Sequence, residues 1–171
     1  MDEQVILVDE KDNPIGIMEK MEAHRKGALH RAFSVFIFNS QGELLLQQRA
    51  FNKYHSGGLW TNTCCSHPSP KERTIDAAHR RLREEMGMSC DLTHSFQFQY
   101  KAEFENGLIE HEVDHVFFGL SDSLPIPNPN EVESYQYKTL IDIQKDLHQN
   151  PRQFTPWFKV CFDQVREKIS G

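Results

Sequence analysis

The sequence lacks a long hydrophobic run and an excess of basic residues. No apolar stretch approaches the roughly 20 residues of a membrane-spanning helix, and the opening MDEQVILVDE is acidic where a secretory signal peptide is basic. Lysine and arginine number 19 against 25 aspartates and glutamates, which leaves a net charge of -6. We therefore expect a cytoplasmic protein for which neither a membrane nor nucleic acid is a main partner.

Cysteine is also sparse, and no dinucleotide-binding fingerprint occurs. Four cysteines in 171 residues do not form the dense framework of a small secreted scaffold, so we expect reduced thiols that are available for chemistry or metal binding. The absence of Gly-x-Gly-x-x-Gly gives no indication of a flavin. Without repeats or a linker, residues 1–171 are predicted to form one globular domain.

Two strand pairs and three helices are predicted along the chain. A first β-hairpin is expected from 32–38 and 44–49 around the turn NSQGE, and a second at 96–120 around Asn106-Gly107. LPIPNPNEVES is expected to be a surface loop. Leu140, Ile143 and Leu147 indicate a short helix, and Thr155-Pro156 opens another that carries Trp157.

The helix between the hairpins is predicted to span about 70–86. Ser69, Pro70 and Glu72 match an N-cap, a first-turn proline and a capping-box glutamate, and Gly87 suits the C-terminal left-handed position. The spacing of its apolar residues predicts a buried stripe that leaves Glu84 and Glu85 facing outward. Together these elements predict an α+β fold, arranged as an α/β/α sandwich.

The stretch EHE, residues 110–112, lies inside a predicted strand. Period-two geometry places Glu110 and Glu112 on one face, where two neighbouring carboxylates are costly to bury unless a cation or a shared proton compensates. A divalent metal is one explanation. A strand with one solvated face is the other, and this pattern alone does not separate them.

The histidines and the adjacent cysteines are further candidates. His24, His30, His67 and either His111 or His115 occupy suggestive positions, and imidazole with carboxylate is a plausible transition-metal shell. We expect His55, His79, His94 and His148 to be surface residues. Cys64 and Cys65 do not match a zinc-finger spacing, and adjacent residues point in different directions, so one is expected to be packing while the other faces a pocket.

The segment SHPSPKERTIDAAHRRLREEMGM resembles the Nudix box, a loop-helix-loop motif that binds magnesium at a diphosphate. Glu72, Arg80, Leu82, Glu84, Glu85 and Gly87 fall into register with it. Ser66 replaces the leading glycine, and Arg81 stands where Nudix hydrolases have the first glutamate of an Arg-Glu pair. The loss of that carboxylate argues against pyrophosphate hydrolysis.

Three other stretches, GLWTNTCCSHP, EHEVDHVFF and FTPWF, accompany these departures. With them, the chain resembles the type I isopentenyl diphosphate isomerases, a Nudix-fold family, over residues 4 to 165. The resemblance implies interconversion of isopentenyl and dimethylallyl diphosphate through a tertiary carbocation. It implies these roles: Cys65, Glu112 and Tyr100 as catalytic groups; His24, His30, His67, Glu110 and Glu112 as metal ligands; Glu85 as the magnesium ligand; and Trp157 as the aromatic residue that closes the pocket.

The substrate itself is expected to be a small prenyl diphosphate, held by Mg²⁺ and by local cations. Candidate cations are Lys20, Arg49, Lys53 and Arg81, while Mn²⁺ or Zn²⁺ is expected at the histidine-carboxylate site. We expect a monomer or a weak dimer. Two competing functions are a Nudix pyrophosphohydrolase and a non-catalytic metal-stabilised binding domain.

Overall fold

A nine-stranded mixed sheet forms the centre of the structure, a computed structural model that describes residues 3–170. Along the chain the elements are β1 (Gln4–Val8), β2 (Pro14–Glu19), α1 (Lys20–Lys26), β3 (His30–Phe38), β4 (Glu43–Arg49), β5 (Trp60–Thr61), β6 (Cys64–Ser66), α2 (Thr74–Met86), β7 (Thr93–Glu103), β8 (Ile109–Leu120), β9 (Val132–Thr139), α3 (Leu140–Gln149), a 3-10 turn at Pro151–Gln153 and α4 (Pro156–Ser170).

Helices cover both faces of this sheet. On β3, Phe33 and Ile37 share a core cluster with α2, whereas Phe36 and Phe38 pack in a second cluster with α3 and α4. This alternation is the period-two geometry of a strand that is buried on both sides. Burial of each such side chain contributes about 1.5–3 kcal/mol. The predicted α+β fold with an α/β/α arrangement is therefore confirmed.

The predicted first hairpin forms only next to its turn, although both of its strands exist. β3 and β4 pair only at Phe38 and Leu44 and then diverge. The gap is bridged by Thr63, whose hydroxyl accepts from the Ile37 amide at 2.9 Å and donates to the Leu45 carbonyl at 2.7 Å. Buried backbone groups need such partners. Each strand thus gains other neighbours: β3 pairs with β6 and β8, and β4 with β5 and β9.

The parallel pairing of β3 with β8 is the long-range feature that builds the site. Its register runs from His30 opposite Glu112 to Phe38 opposite Leu120. The predicted second hairpin is confirmed, because β7 pairs antiparallel with β8 and puts Tyr100 opposite Glu112 on the other side. Glu112 is therefore flanked by a histidine and a tyrosine from two neighbouring strands.

The helix predicted at 70–86 begins later, at Thr74, and ends as expected at Gly87 with φ 62°. Lys71 has φ 70°, a left-handed conformation that a helix cannot contain, and the Glu72 amide donates to the Ser69 carbonyl in a turn. The Glu72 side chain accepts the Ser69 amide at 2.9 Å, which is half of a capping box. Pro70 therefore opens a turn rather than a helix.

Several other elements differ from the predictions or extend them. Helices α3 and α4 lie where the sequence placed them, and Thr139 caps α3 by accepting from the Asp142 amide at 3.1 Å. The segment predicted as a loop, LPIPNPNEVES, runs into strand β9 at Val132. The pattern gave no indication of β1, β2, α1 or β9. Within residues 3–170, every helix is too short or too polar to cross a membrane.

Candidate active site

One cavity gathers most of the predicted site residues. It lies where β4, β6, β8, α2 and the start of α4 meet. The predicted residues that line it are Lys20, Arg49, Lys53, Cys65, His67, Arg81, Glu85, Glu110, Glu112 and Trp157. His24, His30 and Tyr100 lie directly behind this wall, each less than 10% exposed. The structure therefore brings together residues that are up to 137 positions apart in the sequence, from Lys20 to Trp157.

The two adjacent cysteines have different surroundings. Cys64 is fully buried in the core cluster with α2, whereas Cys65 lines the cavity opposite Ser34 of β3. Burial raises the pKa of the Cys65 thiol, and the positive charge of Arg49 only partly opposes this effect. Cys65 is therefore a protonated thiol at neutral pH, poised at the cavity surface.

Strand β8 presents its carboxylates on one face, as the period-two pattern predicts. Glu110 and Glu112 are both 4% exposed and line the cavity, while His111 points away and lies 3.1 Å from the Gly27 carbonyl. Asp114 continues the same face and accepts from the Ser34 hydroxyl at 3.0 Å. Burial raises the pKa of Asp114 well above its usual value, and the charge of Glu112 raises it further.

A cluster of imidazoles surrounds this carboxylate face. Nε2 of His30 lies 3.2 Å from Glu112 Oε2, and Nε2 of His67 lies 2.9 Å from the same oxygen. Nε2 of His24 lies 3.6 Å from Glu110 Oε2. The ligand atoms of His24, His30, His67 and Glu112 all lie within 4.8 Å of one another. This set can hold a metal ion.

The tautomers of two of these histidines show that the donor set fits a cation. Nδ1 of His24 lies 2.7 Å from the Lys20 carbonyl, and Nδ1 of His30 lies 2.9 Å from the Ala28 carbonyl. A carbonyl only accepts hydrogen bonds, so each Nδ1 carries a proton and the Nε2 of each ring faces a carboxylate oxygen. Two facing acceptors require a proton or a metal ion between them.

Tyr100 reaches the carboxylate pair through Glu110. Its hydroxyl donates to Glu110 Oε1 at 2.5 Å, although its backbone neighbour across the strands is Glu112. Burial raises the pKa of Tyr100 well above 10.0, and the charge of Glu110 adds to the effect. Tyr100 is thus a firm hydrogen-bond donor to one carboxylate, and its role as a catalytic group stays a prediction.

The four predicted cations converge on one part of the cavity, among carboxylates. Lys53 donates to Glu131 at 2.6 Å, Arg81 donates to Glu85 at 2.7 Å, and Lys20 lies 3.2 Å from Glu3. The fourth cation, Arg49, is 7% exposed, with its guanidinium 5.2 Å from the ring centre of Trp157. The acidic chain therefore places four basic side chains around one cavity, and Lys20, Lys53 and Arg81 are paired with carboxylates there.

Glu85 does not face outward as the helical pattern predicts. Its exposure is 5%, and it accepts from Gln47 Nε2 at 3.1 Å as well as from Arg81. Glu84, in contrast, is exposed. The reason is that one side of α2 borders the cavity. Arg81 and Glu85, next to the buried residues Leu82 and Met86, therefore face a polar cavity rather than solvent.

The start of α4 is docked onto the segment that leads to the cysteines. Trp157 Nε1 donates to Asn62 Oδ1 at 3.2 Å, and the Thr155 hydroxyl donates to that of Thr61 at 2.8 Å. Asn62 also donates to the Val35 and Cys64 carbonyls. The motifs GLWTNTCCSHP and FTPWF are therefore one structural unit, which holds the Trp157 ring against the cavity.

Comparisons with known proteins give the family of this chain. The NUDIX domain family matches residues 28–158. An isopentenyl-diphosphate Delta-isomerase from Pectobacterium atrosepticum is 57% identical, across 95% of this chain and 90% of its own length. Another from Burkholderia multivorans is 52% identical across 96% and 94%. The chain belongs to the isopentenyl-diphosphate Delta-isomerase family. The sequence resemblance is thus confirmed.

Solved structures show how widely the fold of this isomerase family is shared. The DR0079 structure from Deinococcus radiodurans superposes with a TM-score of 0.80 at 21% identity, covering 95% of this chain and 98% of that one. A MutT protein from Methanosarcina mazei superposes with a TM-score of 0.66 at 19% identity, covering 84% and 96%. At such identities the likeness concerns the fold alone.

Sequence reasoning missed several residues of the isomerase-family cavity. His55, predicted to be a surface residue, is 5% exposed with Nε2 3.5 Å from Glu110 Oε1, so that prediction is wrong. Its position in a loop gave no signal. Asp114 could have been found, because it extends the alternation of Glu110 and Glu112. The other lining residues that were missed are Glu3, Phe33, Gln47, Tyr54, Ser66 and Glu131.

Proposed function

We propose that this protein interconverts isopentenyl diphosphate and dimethylallyl diphosphate. One observation carries the proposal: a protonated thiol, Cys65, and a carboxylate, Glu112, line the same cavity that also contains a cluster of basic side chains. The membership of the isomerase family gives the substrate class. A prenyl diphosphate is a small molecule with an anionic end and an apolar end, and the cavity offers matching groups for both.

The reaction moves a double bond by one position. A proton added to the terminal CH₂ of isopentenyl diphosphate leaves a tertiary carbocation on the adjacent carbon. Loss of a proton from the next carbon towards the diphosphate forms the new double bond of dimethylallyl diphosphate. The electrons balance without an oxidant, but the reaction needs two proton-transferring groups, one for each carbon.

Cys65 and Glu112 are the proposed pair. Cys65 comes from β6 and Glu112 from β8, on either side of β3, so they reach the cavity from different strands. The raised pKa of the thiol keeps it protonated at neutral pH. Positioned general acids and bases typically contribute about 10²–10⁴-fold each to a rate. Tyr100, through its hydrogen bond to Glu110, keeps the carboxylate pair in place and is the proposed proton relay.

The residues that would hold a divalent cation are His24, His30, His67, Glu110 and Glu112. Mn²⁺ or Zn²⁺ suits this mixture of imidazole and carboxylate, and when bound it would withdraw electron density from the carboxylates and strengthen neighbouring acids. The rings of His24 and His30 are already fixed for this purpose by their Nδ1 contacts with backbone carbonyls.

The diphosphate is proposed to bind among Lys20, Arg49, Lys53 and Arg81. Arginine forks and a lysine ammonium provide charge-assisted hydrogen bonds to phosphate oxygens. Glu85, fixed by Gln47 and Arg81, would hold Mg²⁺ shared with the diphosphate. The carboxylates of Glu3 and Glu131 that pair with these cations would exchange partners when the anion enters.

The carbocation must be kept from water, which would trap it as an alcohol. Trp157 lines the cavity and its ring is 3% exposed, so an apolar wall is available beside the proposed acid and base. An aromatic face stabilises a desolvated cation by about 2 kcal/mol. Because Arg49 already lies 5.2 Å from this ring, Trp157 also connects the anion-binding end with the hydrocarbon end.

The test is to incubate the purified protein with isopentenyl diphosphate, Mg²⁺ and either Mn²⁺ or Zn²⁺ in deuterated water. Proton NMR then follows the alkene, and a colorimetric assay follows free phosphate. We expect dimethylallyl signals with deuterium incorporated and no phosphate. Release of phosphate would instead indicate a Nudix hydrolase, and no change in either signal with every metal would indicate a binding domain.

A further inference from the structure

The loop before β5 brings a fourth imidazole to the proposed metal centre. His55 is 5% exposed, and its Nε2 lies 3.5 Å from Glu110 Oε1 without a hydrogen-bond partner among residues 3–170. His24 Nε2 is in the same situation, 3.6 Å from the other oxygen of Glu110. Two buried imidazole nitrogens thus point at one carboxylate and both lack a partner, which is costly unless something binds them.

The ring of His55 is held in this orientation from several sides. It stacks on Phe104 with centroids 4.5 Å apart and an interplanar angle of 8°, and the edge of Trp157 meets it at 79°. Its Nδ1 lies 3.1 Å from the Ser56 hydroxyl, which can accept the Nδ1 proton and leave the Nε2 lone pair free. The side chain is therefore preorganised as a ligand.

The backbone of the loop is fixed as well. Arg49 donates to the His55 carbonyl at 3.2 Å, and Asn106 in the β7–β8 turn donates to the Tyr54 carbonyl at 2.9 Å. Ser56 has φ 56°, a left-handed conformation that is uncommon outside glycine. These hydrogen bonds and the left-handed residue fix the loop conformation that places His55 beside Glu110.

Two groups of ligand atoms overlap at His24. The first contains His24, His30, His67 and Glu112, and the second contains His24, His55 and Glu110, with the atoms of each group within 4.8 Å of one another. A neutral imidazole has one lone pair on Nε2, so His24 cannot bind two ions at once. If both groups bind metal through His24, they therefore do so as parts of one centre.

We propose that His55 is a ligand of this metal centre, supplying a fourth imidazole through Nε2 to the cation that His24 and Glu110 bind. The inference rests on the metal centre of the proposed function and adds a residue to it. Four imidazoles favour a borderline transition metal such as Zn²⁺ or Mn²⁺ over Mg²⁺, which prefers oxygen ligands.

The first experiment compares His55→Phe with the intact protein. Phenylalanine retains an aromatic ring for the stack on Phe104 and removes only the nitrogens, and His148→Gln, an exposed residue of α3, is the matched control. Co²⁺ is titrated into metal-free protein while its visible absorption is recorded. We expect the Co²⁺ dissociation constant of His55→Phe to rise about 10–100-fold, with a changed spectrum, and that of His148→Gln to stay within threefold.

An unchanged dissociation constant and spectrum in His55→Phe would overturn the proposal that His55 is a ligand. It would not refute the proposed isomerase function, because alkene turnover is measured separately. If neither the intact protein nor the variant bound Co²⁺, the metal centre itself would be refuted. A crystal of the intact protein loaded with Zn²⁺ needs no variant: a Zn–Nε2 distance to His55 of about 2.0–2.1 Å supports the proposal, and a distance beyond about 3.5 Å refutes it.

Discussion

Replacing each of the two adjacent cysteines with alanine should have different effects: Cys65→Ala should lower activity, and Cys64→Ala should lower stability. The change is chemically identical at the two positions, since one sulfur atom is removed. Cys64 lies in the core between β3 and α2, whereas Cys65 lies on the cavity wall. If Cys65 transfers a proton, Cys65→Ala impairs the reaction and Cys64→Ala impairs only the packing.

The magnitudes follow from these surroundings. Cys64 is 0% exposed, so losing its sulfur removes about one buried methylene equivalent and leaves a small void, which costs about 1 kcal/mol of the free energy of unfolding. Cys65 borders a cavity, and its loss should cost less than that. A general acid or base contributes about 10²–10⁴-fold, or about 3–5 kcal/mol of activation free energy.

The assay measures kcat by proton NMR of the alkene and the free energy of unfolding by urea titration, on both variants. We expect Cys65→Ala to lose at least about 100-fold in kcat with near-normal stability, and Cys64→Ala to keep kcat within about threefold with a lower urea midpoint. Similar losses of kcat in both variants would refute the assignment, as would a Cys65→Ala variant that retains more than a tenth of the normal kcat.

Three further changes test other parts of the structure. Tyr100→Phe removes the buried donor to a carboxylate and should lower the free energy of unfolding of the metal-free protein by about 1–3 kcal/mol in urea. Tyr137→Phe is its control and should be neutral or stabilising, because the Tyr137 hydroxyl is buried without a hydrogen-bond partner within residues 3–170. Arg80 donates two hydrogen bonds to Glu72 and holds the pKa of that carboxyl below its usual 4.5. This stability is present above the pKa of the unfolded state and is lost as pH falls through the lower folded value. Arg80→Ala should therefore cost about 1 kcal/mol at pH 7. The difference in urea midpoint should shrink as the pH is lowered step by step below 4.5. Lys53→Met should raise KM for isopentenyl diphosphate about tenfold or more, because a charge-assisted bond contributes about 1.5–3 kcal/mol, with kcat nearly unchanged; an unchanged KM would remove Lys53 from the anion site.

Local signals predicted the parts of this molecule that depend on local geometry. The alternation of Glu110 and Glu112 required only the two-residue period of a strand, and both carboxylates face the cavity. Likewise, the prediction that the helix ends at Gly87 required only that glycine suits a left-handed conformation, and φ of Gly87 is 62°. The predicted start of α2 was wrong because Pro70 is equally suited to a turn. The side chain of Glu72 accepts hydrogen bonds from the Ser69 amide in that turn and from Arg80.

The remaining parts depend on contacts between distant residues, which a pattern along one chain does not contain. Strands β3 and β4 look like a hairpin because their connection is short, yet the side chains of Asn62 and Thr63 bond backbone groups of both strands at Val35, Ile37 and Leu45. The segment that contains Asn62 and Thr63 also leads directly to Cys65 on the cavity wall, and Asn62 accepts the hydrogen bond from Trp157 of α4. The divergence of the two strands therefore makes room for the segment that lines the cavity, so the feature that local reasoning missed is the one on which the candidate site depends.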